Sequence, residues 1–368
     1  MASQSKLSAI RDQARKRVAL LWDIARLTPW RTLRRHHDRS ADTIVWVHHR
    51  YPQTWFHWLL REDTILKDLG LAVGLARGGV KFRIVGGRGI DKLTAGTAVW
   101  TIHPYNPDRV DDYAAGMVAA VRRIETNGVV MVPSADEAEW WENKVFMHRR
   151  FEELGIRAPR TVIDVLSEDL SLADGDGSLL GFPLLVKEPH SQGSAGLHKV
   201  ADIETLRRLR ATMAANGERE LLLQELIDMD RDLRVTMVGD RVVHHYFRIN
   251  TTAEWQPTST RRGSEVDFVT FPEQWRQRIV DVFESTGMRT GAFDICWAGN
   301  DLATEPIFLE VSPSYTPNPP PPDSFAGRPY YEFKKQLRGP DSFGAAFVKI
   351  VYEIQADVLA TWGLVPSN

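Results

Sequence analysis

Gly181-Phe182-Pro183-Leu184-Leu185-Val186-Lys187-Glu188-Pro189-His190-Ser191-Gln192-Gly193-Ser194-Ala195-Gly196-Leu197-His198-Lys199-Val200 reads as a short apolar strand ending in a lysine, a small-residue loop, and a second strand. Leu184, Leu185 and Val186 suit a buried strand, and Lys187 closes it where a flexible cation can reach a bound anion. Gln192-Gly193-Ser194-Ala195-Gly196 leaves backbone N–H groups unshielded, so several can converge on phosphate oxygens. It is not a Walker loop: the Gly-x4-Gly-Lys-Ser/Thr order is absent, and the loop joins two strands. Taken alone, the stretch reads more readily as an ordinary glycine-containing hairpin. Its companions along the chain decide.

At 368 residues the chain can bury a substantial core and hold two or three subdomains. Charged residues at 26% and hydrophobic ones at 43% describe an ordinary globular protein, not a disordered or membrane one. A net charge of −2 argues against bulk nucleic-acid affinity. Cys296 is the only cysteine, which excludes an internal disulfide and fits a reducing cytoplasm. No apolar run approaches the ~18 residues of a membrane span, and the N-terminus lacks a signal-peptide pattern. The expected location is cytoplasmic.

Residues 1–40 differ from the rest, with ten Lys/Arg against three Asp. Leu7, Ile10, Ala14, Val18, Leu21 and Ala25 recur every three or four residues, giving a helix with an apolar and a cationic face. Pro29 is expected to end it. Docking of residues 1–28 on the protein's own domain through that stripe is the expectation. Peripheral contact with an anionic membrane is the less favoured alternative.

Residues 41–133 alternate strand and helix. Strands are expected at 43–48, 80–85, 97–102 and 129–132, with helices at 55–69 and 110–126, the pattern of a mostly parallel sheet. Gly86-Gly87-Arg88-Gly89 lacks the full dinucleotide fingerprint and reads as a turn. His48, His49 and Arg50 end the first strand, where they either line a cleft or satisfy local hydrogen bonds.

Residues 134–220 form the next expected subdomain, beginning with one helix over 134–154 that contains Asn143-Lys144. A strand at 161–165, the strand and loop quoted above, and a helix at 203–216 follow. Residues 221–368 form the last. An apolar strand at 221–227 carries Gln224 and Glu225, and a hairpin over 232–243 turns at Gly239-Asp240. Asp294 and Glu310 each sit amid apolar residues on a strand pair, 291–295 and 307–312. An unpaired buried carboxylate is costly, so two facing each other call for a cation. Hard oxygen ligands beside a phosphate-binding element point to Mg²⁺.

In order, these parts resemble the ATP-grasp superfamily over about residues 134–314. They are Asn143-Lys144, Gly-Ile-Arg-Ala-Pro-Arg-Thr at 155–161, Lys187 with its loop, Gln224-Glu225-Leu226-Ile227, Asp232-Leu233-Arg234, Asp294, and Glu310-Val311-Ser312. Asp-Leu-Arg after the hinge and Arg261-Arg262-Gly263-Ser264 bring the chain closest in look to ribosomal-protein glutamate ligases. The resemblance implies an α/β (α+β) ATP-grasp fold, in which an N-terminal parallel-sheet domain precedes two α+β subdomains that clasp a nucleotide. It implies that Lys144 and Lys187 neutralise ATP phosphates under the loop of Gln192, Gly193, Ser194 and Gly196. Gln224, Glu225, Leu226 and Ile227 would hold adenine, with Asp232 in the nucleotide-binding set. Asp294, Glu310 and Ser312 would hold Mg²⁺, and Arg248 and Arg262 would bind the reacting carboxylate and the transferred phosphoryl group.

The implied activity is ATP-dependent joining of a small-molecule carboxylate to an amine through an acyl phosphate. A kinase on the same fold and a degenerate ATP-binding module stay open as alternatives. Ser312 departs from the family, which usually has Asn there; a hydroxyl is the weaker Mg²⁺ ligand. Residues 312–339 are proline-dense and expected to stay extended, either as a wall of the acceptor site or as a connector to a last helix at 343–359. No nucleic-acid partner is expected, and a homodimer is compatible with the sequence.

Overall fold

The computed structural model describes residues 2–48, 62–102, 110–173, 175, 177–190, 196–252, 254–260 and 263–366. Residues 1–107, 116–138 and 314–368 form one compact unit. Its strands β1 (Thr43–Val47), β2 (Arg83–Gly86), β3 (Thr97–Val99) and β4 (Val130–Val132) make an all-parallel sheet in the order β2-β1-β3-β4. Ile44, Val45 and Trp46 on β1 are almost fully buried, as a strand covered on both faces requires. Helix Glu62–Arg77 includes residues 62–69 of the expected 55–69 and runs past them; residues 55–61 fall outside the described ones. His48 takes the structural role. It is fully buried, with Nε2 2.8 Å from the Thr101 carbonyl and rings of Trp46 and Trp100 each 5.3 Å away. His49 and Arg50 lie outside the described residues.

Residues 314–368 pack in this unit, although in sequence the last subdomain is expected to run through 368. Helix Phe343–Thr361 lies along Glu62–Arg77. Three glycines four residues apart permit the approach: a Cβ at Gly70, Gly74 or Gly78 would stand 2.9, 2.6 or 2.5 Å from Gln355, Leu359 or Val365. The proline-dense stretch is not extended throughout, for helix Tyr330–Lys335 starts directly after Pro329, which stands as its N-cap residue with an extended ψ of 138°. Tyr330 Oη donates to the Pro319 carbonyl at 2.9 Å.

Helix Ala2–Leu27 docks on this unit, but not through the expected stripe. Ile24 is buried, and Leu20 and Leu27 pack into the same core. The Ser342 hydroxyl donates to Asp23 Oδ2 at 2.9 Å, the hydroxyls of Thr28 and Tyr352 are 2.7 Å apart, and Gly344 leaves room where a Cβ would meet Asp23 at 2.6 Å. Polar anchoring of Asp23 at the start of helix Phe343–Thr361 therefore selects the 20/23/24/27 face. Ala14, Val18, Leu21 and Ala25 are left exposed; the side chains of Leu7 and Ile10 lie outside the description. Among the described residues no helix is long and apolar enough to cross a membrane.

Asp108–Ala115 and Glu139–Pro313 form the second unit, which holds two antiparallel sheets. Strands β5 (Thr161–Val165), β6 (Leu184–Lys187), β7 (Leu197–Val200) and β8 (Glu220–Glu225) make one, ordered β5-β8-β6-β7. Helix Ile203–Ala215 covers it through Leu206 and Met213. Strands β9 (Arg231–Val238), β10 (Arg241–Ile249), β11 (Glu265–Asp267), β12 (Thr290–Cys296) and β13 (Ile307–Ser312) make the other, ordered β11-β10-β9-β12-β13. Helix Arg276–Ser285 packs on its apolar face with Ile279 and Phe283.

The single helix expected over 134–154 is two. Helix Ala135–Glu139 opens with a reciprocal capping box: Ser134 N donates to Glu137 Oε2 at 2.9 Å, and Glu137 N to Ser134 Oγ at 3.3 Å. The backbone then breaks, with Glu142 in the left-handed region at φ 47°. Asn143 caps a second helix, Lys144–Glu153, by accepting from Phe146 N at 3.1 Å. Lys144 thus starts a helix instead of riding mid-helix.

Candidate nucleotide and metal site

The five-stranded sheet sorts its side chains by chemistry. Leu233, Val235, Phe247, Phe293, Ile295 and Val311 point to the core. Alternate positions carry Asp232 and Arg234 on β9, Arg248 on β10, Asp294 on β12, and Glu310 and Ser312 on β13. Arg248 pairs in register with Asp232, Arg234 with Asp294, and Asp294 with Glu310, so Arg234, Asp294 and Glu310 form a row across three strands. A bulge sets this up. Ile295 pairs with Phe308, so Leu309 is an extra residue. Phe308 consequently enters the core while Glu310, two residues on, faces Asp294.

Two guanidiniums hold Asp294. Arg234 Nη1 donates to Oδ1 at 3.1 Å, and Arg248 Nη2 lies 2.9 Å from Oδ2. Burial alone would raise the Asp294 pKa, but Arg234, Arg248 and Lys187 outweigh it and hold the carboxyl below the usual range. Arg248 also clasps Asp232 through Nε, at 2.8 Å, and Nη2. Burial opposes its charge, yet Asp232 and Asp294 push its pKa well above the ordinary value. Expected to receive a reacting carboxylate, Arg248 here directs its donors to two internal ones. Asp232, expected in the nucleotide-binding set, is 2% exposed and committed to Arg248. Arg262 lies outside the described residues, as do Gln192, Gly193 and Ser194.

Lys187 ends β6, as the sequence predicts. Burial lowers its pKa to about 8, Lys144 pushes the same way, and Glu310 and Asp294 oppose. Lys144 and two carboxylates therefore all act on Lys187 within a single unit. Lys144 is 8% exposed, with Nζ 3.7 Å from Glu142 Oε2. Gly196 closes the foot of the loop. Its φ is +64°, its carbonyl accepts from Glu188 N at 3.0 Å, and a Cβ would meet Glu188 at 2.5 Å, so this position admits only glycine.

At the end of β8, Gln224 turns inward. Its Nε2 donates to Thr161 Oγ1 at 2.9 Å and to His148 Nε2 at 3.2 Å. Burial, then Lys187 and Lys144, press the His148 pKa down to about 3, leaving a neutral ring that accepts this bond. Glu225 accepts from Arg160 N at 2.8 Å and from Arg160 Nε at 3.2 Å. Leu226 and Ile227 follow as a half-buried connection to β9.

Sequence patterns miss four features of this site. Glu142 is half-buried, and its pKa is pushed up to about 7 by desolvation, with Glu310 adding to the rise and Lys144 opposing. His148 is the second. The role of Arg234 is the third: in sequence it stands only as part of the Asp-Leu-Arg motif, and the register of β9 against β12 reveals its pairing with Asp294. The fourth is an aromatic group beside the Arg234 row, in which the rings of His244, Tyr246 and Phe268 are 5.4–5.9 Å apart. Alternation along β10 from Arg248 was the available signal for His244 and Tyr246. Among the described residues no group of three or more acidic, histidine or cysteine side chains is arranged to hold a metal ion.

Residues 142–315 match the family model of the RimK-like ATP-grasp domain. Among solved structures the chain is similar to a D-alanine–D-alanine ligase from Bacillus anthracis complexed with ATP, at a TM-score of 0.53 and 14% identity, over 85% of this chain and 96% of that one. It is similar also to a D-cycloserine synthetase, at a TM-score of 0.50 and 10% identity, over 85% and 99%. A RimK-domain ATP-grasp protein from Sphaerobacter thermophilus aligns over 84% and 99% at a TM-score of 0.49 and 15% identity. No curated protein matches the sequence. The fold is ATP-grasp, as the order of sequence parts implied.

Proposed function

We propose that this chain, which belongs to the ATP-grasp superfamily through its RimK-like domain, joins a carboxylate to an amine at the cost of ATP. The observation that carries the reading is that Asp294 faces Glu310 in register while both carboxylates and Lys144 act on Lys187 within one unit. A buried and a half-buried lysine beside two opposed carboxylates suit a triphosphate and its counter-ion. Lys144 and Lys187 bind the phosphates, and the segment from Glu225 to Ile227 takes the adenine. Gln224 and Asp232 act behind these, through His148 and Arg248.

Asp294 and Glu310 fit Mg²⁺, which commonly takes one or two protein carboxylates and completes its shell with phosphate and water oxygens. Bound there, the ion would neutralise charge on the transferring phosphoryl group. Ser312, two residues beyond Glu310, supplies at most a hydroxyl to that set. Arg234 and Arg248 fix Asp294 until the site is loaded.

In the reaction a substrate carboxylate oxygen attacks the γ-phosphorus, and the bond to the ADP oxygen breaks. The amine nitrogen then adds to the acyl carbon, phosphate leaves, and one proton is lost from nitrogen. The test is product analysis with pooled amino acids and small carboxylic acids. The expected result is ADP and phosphate release that requires both partners, with a product of their combined mass less water. A phosphorylated product that persists without any amine would make the protein a kinase, and ATP binding without turnover would make it a regulatory module.

A further inference from the structure

The exposed side of helix Ala2–Leu27 is an apolar strip with a basic border. Val18 is 68% exposed and Trp22 70%. Ala14, Leu21 and Ala25 complete the strip, on the side opposite to docked Leu20, Asp23, Ile24 and Leu27. Trp30 extends it: its indole Nε1 donates to the Ala25 carbonyl at 2.7 Å, and the residue is itself half exposed. In sequence the same spacing continues back to Ile10 and Leu7. Arg15 is exposed beside the strip, and Arg31, Arg34 and Arg35 are exposed just past Trp30.

We propose that this strip is a membrane-surface contact, on which the helix lies flat against an anionic lipid headgroup layer. Charge decides the occupant. Residues 1–40 hold ten Lys/Arg and three Asp in a chain whose net charge is −2, so positive charge is gathered in the segment that carries the strip. A second copy would bring the same cations against these, whereas an anionic bilayer attracts them. Tryptophans at the edge of an apolar strip suit the boundary between headgroups and acyl chains. The helix is 26 residues long and of a composition that lies on membranes, not one that crosses them. Docking through Asp23 and Ile24 leaves the strip free to serve as this face without unfolding the unit.

The experiment sediments the full chain with vesicles of phosphatidylcholine alone and of phosphatidylcholine with one third phosphatidylserine. Binding to the mixed vesicles at low salt is expected, weakening as salt shortens the screening length to about 8–10 Å. Val18→Asp with Trp22→Asp should lower vesicle affinity at least about tenfold. Its melting curve should match the parent, since both side chains are exposed. Arg31→Gln and Arg34→Gln should each lower affinity about fivefold. No sedimentation of the parent with anionic vesicles at low salt overturns the proposal, as does equal affinity in the Val18/Trp22 variant. A concentration-dependent mass in the absence of lipid that the same variant abolishes, without vesicle binding, would assign the strip to a second copy and overturn it too.

Discussion

Arg248 Nη2 stands 2.9 Å from Asp294 Oδ2 while the same guanidinium grips Asp232, so one cation serves a buried carboxylate and a half-buried one. Removing one partner of such a pair leaves the other charge buried and unpaired, at a cost of about 3–5 kcal/mol. Arg248→Met should therefore lower unfolding free energy by that order in urea titrations, and adding Asp232→Leu should recover most of it. Because Arg248 helps depress the Asp294 pKa, its contribution is present at neutral pH and fades as pH falls through the carboxylate range. A loss under ~1 kcal/mol at pH 7 would show that the pair is not structural.

Lys187 predicts a pH signature. Its pKa is lowered to about 8, below the ordinary lysine value, chiefly by burial. Between about 8 and the ordinary value the unfolded chain holds a proton that the folded one lacks, so stability rises with pH there. Below about 8 both states hold it and the penalty is constant. Lys187→Met should thus be more stable than the parent at pH 7, with the gain shrinking as pH rises through 8 and beyond. Turnover should fall by ~10²–10³-fold or more for loss of a phosphate contact. At pH 9, ATP binding to the parent should take up a proton, seen as a buffer-dependent heat in calorimetry; a heat independent of buffer would remove Lys187 from the phosphate site.

The strands were the legible part of this chain. Lys187, Asp294 and Glu310 interrupt apolar runs, and period-two alternation needs only that contrast to assign a face. The break between the two helices at 140–143 was hidden because Trp140 and Trp141 continue the apolar pattern, and Asn143 caps a helix only once Glu142 turns left-handed. The docked face of the N-terminal helix was hidden for a different reason. Two apolar stripes compete there, and a buried acid, Asp23, chooses between them by bonding Ser342, some three hundred residues away in sequence. Arg234 and the Leu309 bulge depend on register, which no single strand reveals. The partner of Arg248 was likewise set by tertiary pairing, so residue type alone suggested a substrate contact.

Asn143 fixes where Lys144 points. Its side chain caps the helix that Lys144 begins, and Asn→Ala at such a position typically costs ~1 kcal/mol. Asn143→Ala should lower stability by that order and weaken ATP binding, while Asn143→Asp should preserve the cap and both properties. Equal ATP affinity in the alanine variant would separate the cap from the site.

The opposed carboxylates predict a metal response. Asp294→Asn and Glu310→Gln should each raise the Mg²⁺ concentration needed for half-maximal ATP turnover, with little change in melting for Glu310→Gln. Ser312→Asn, which adds an amide carbonyl two residues beyond Glu310, should be as active or better at limiting Mg²⁺. Unchanged Mg²⁺ dependence in both carboxylate variants would leave those residues a structural role only.

The glycine seam gives the last test. At Gly70 an added methyl would meet Gln355 Cγ at 2.9 Å, on a long side chain that can swing away. At Gly78 it would meet Val365 at both Cγ1, 2.5 Å, and Cβ, 2.7 Å, and the Cβ cannot move without its backbone. Helix propensity favours alanine by ~1 kcal/mol at an interior position such as Gly70, while overpacking costs about 1–3 kcal/mol. Gly70→Ala should accordingly be neutral or stabilising, and Gly78→Ala destabilising. Val365→Ala would still leave a Cβ at 2.7 Å, so it should relieve the second variant only in part, whereas Val365→Gly should relieve the clash more fully. Thermal melts of the four variants decide the matter; a loss at Gly70 equal to that at Gly78 would mean that Gln355 cannot move aside, and no loss at Gly78 would mean that close packing does not hold this seam.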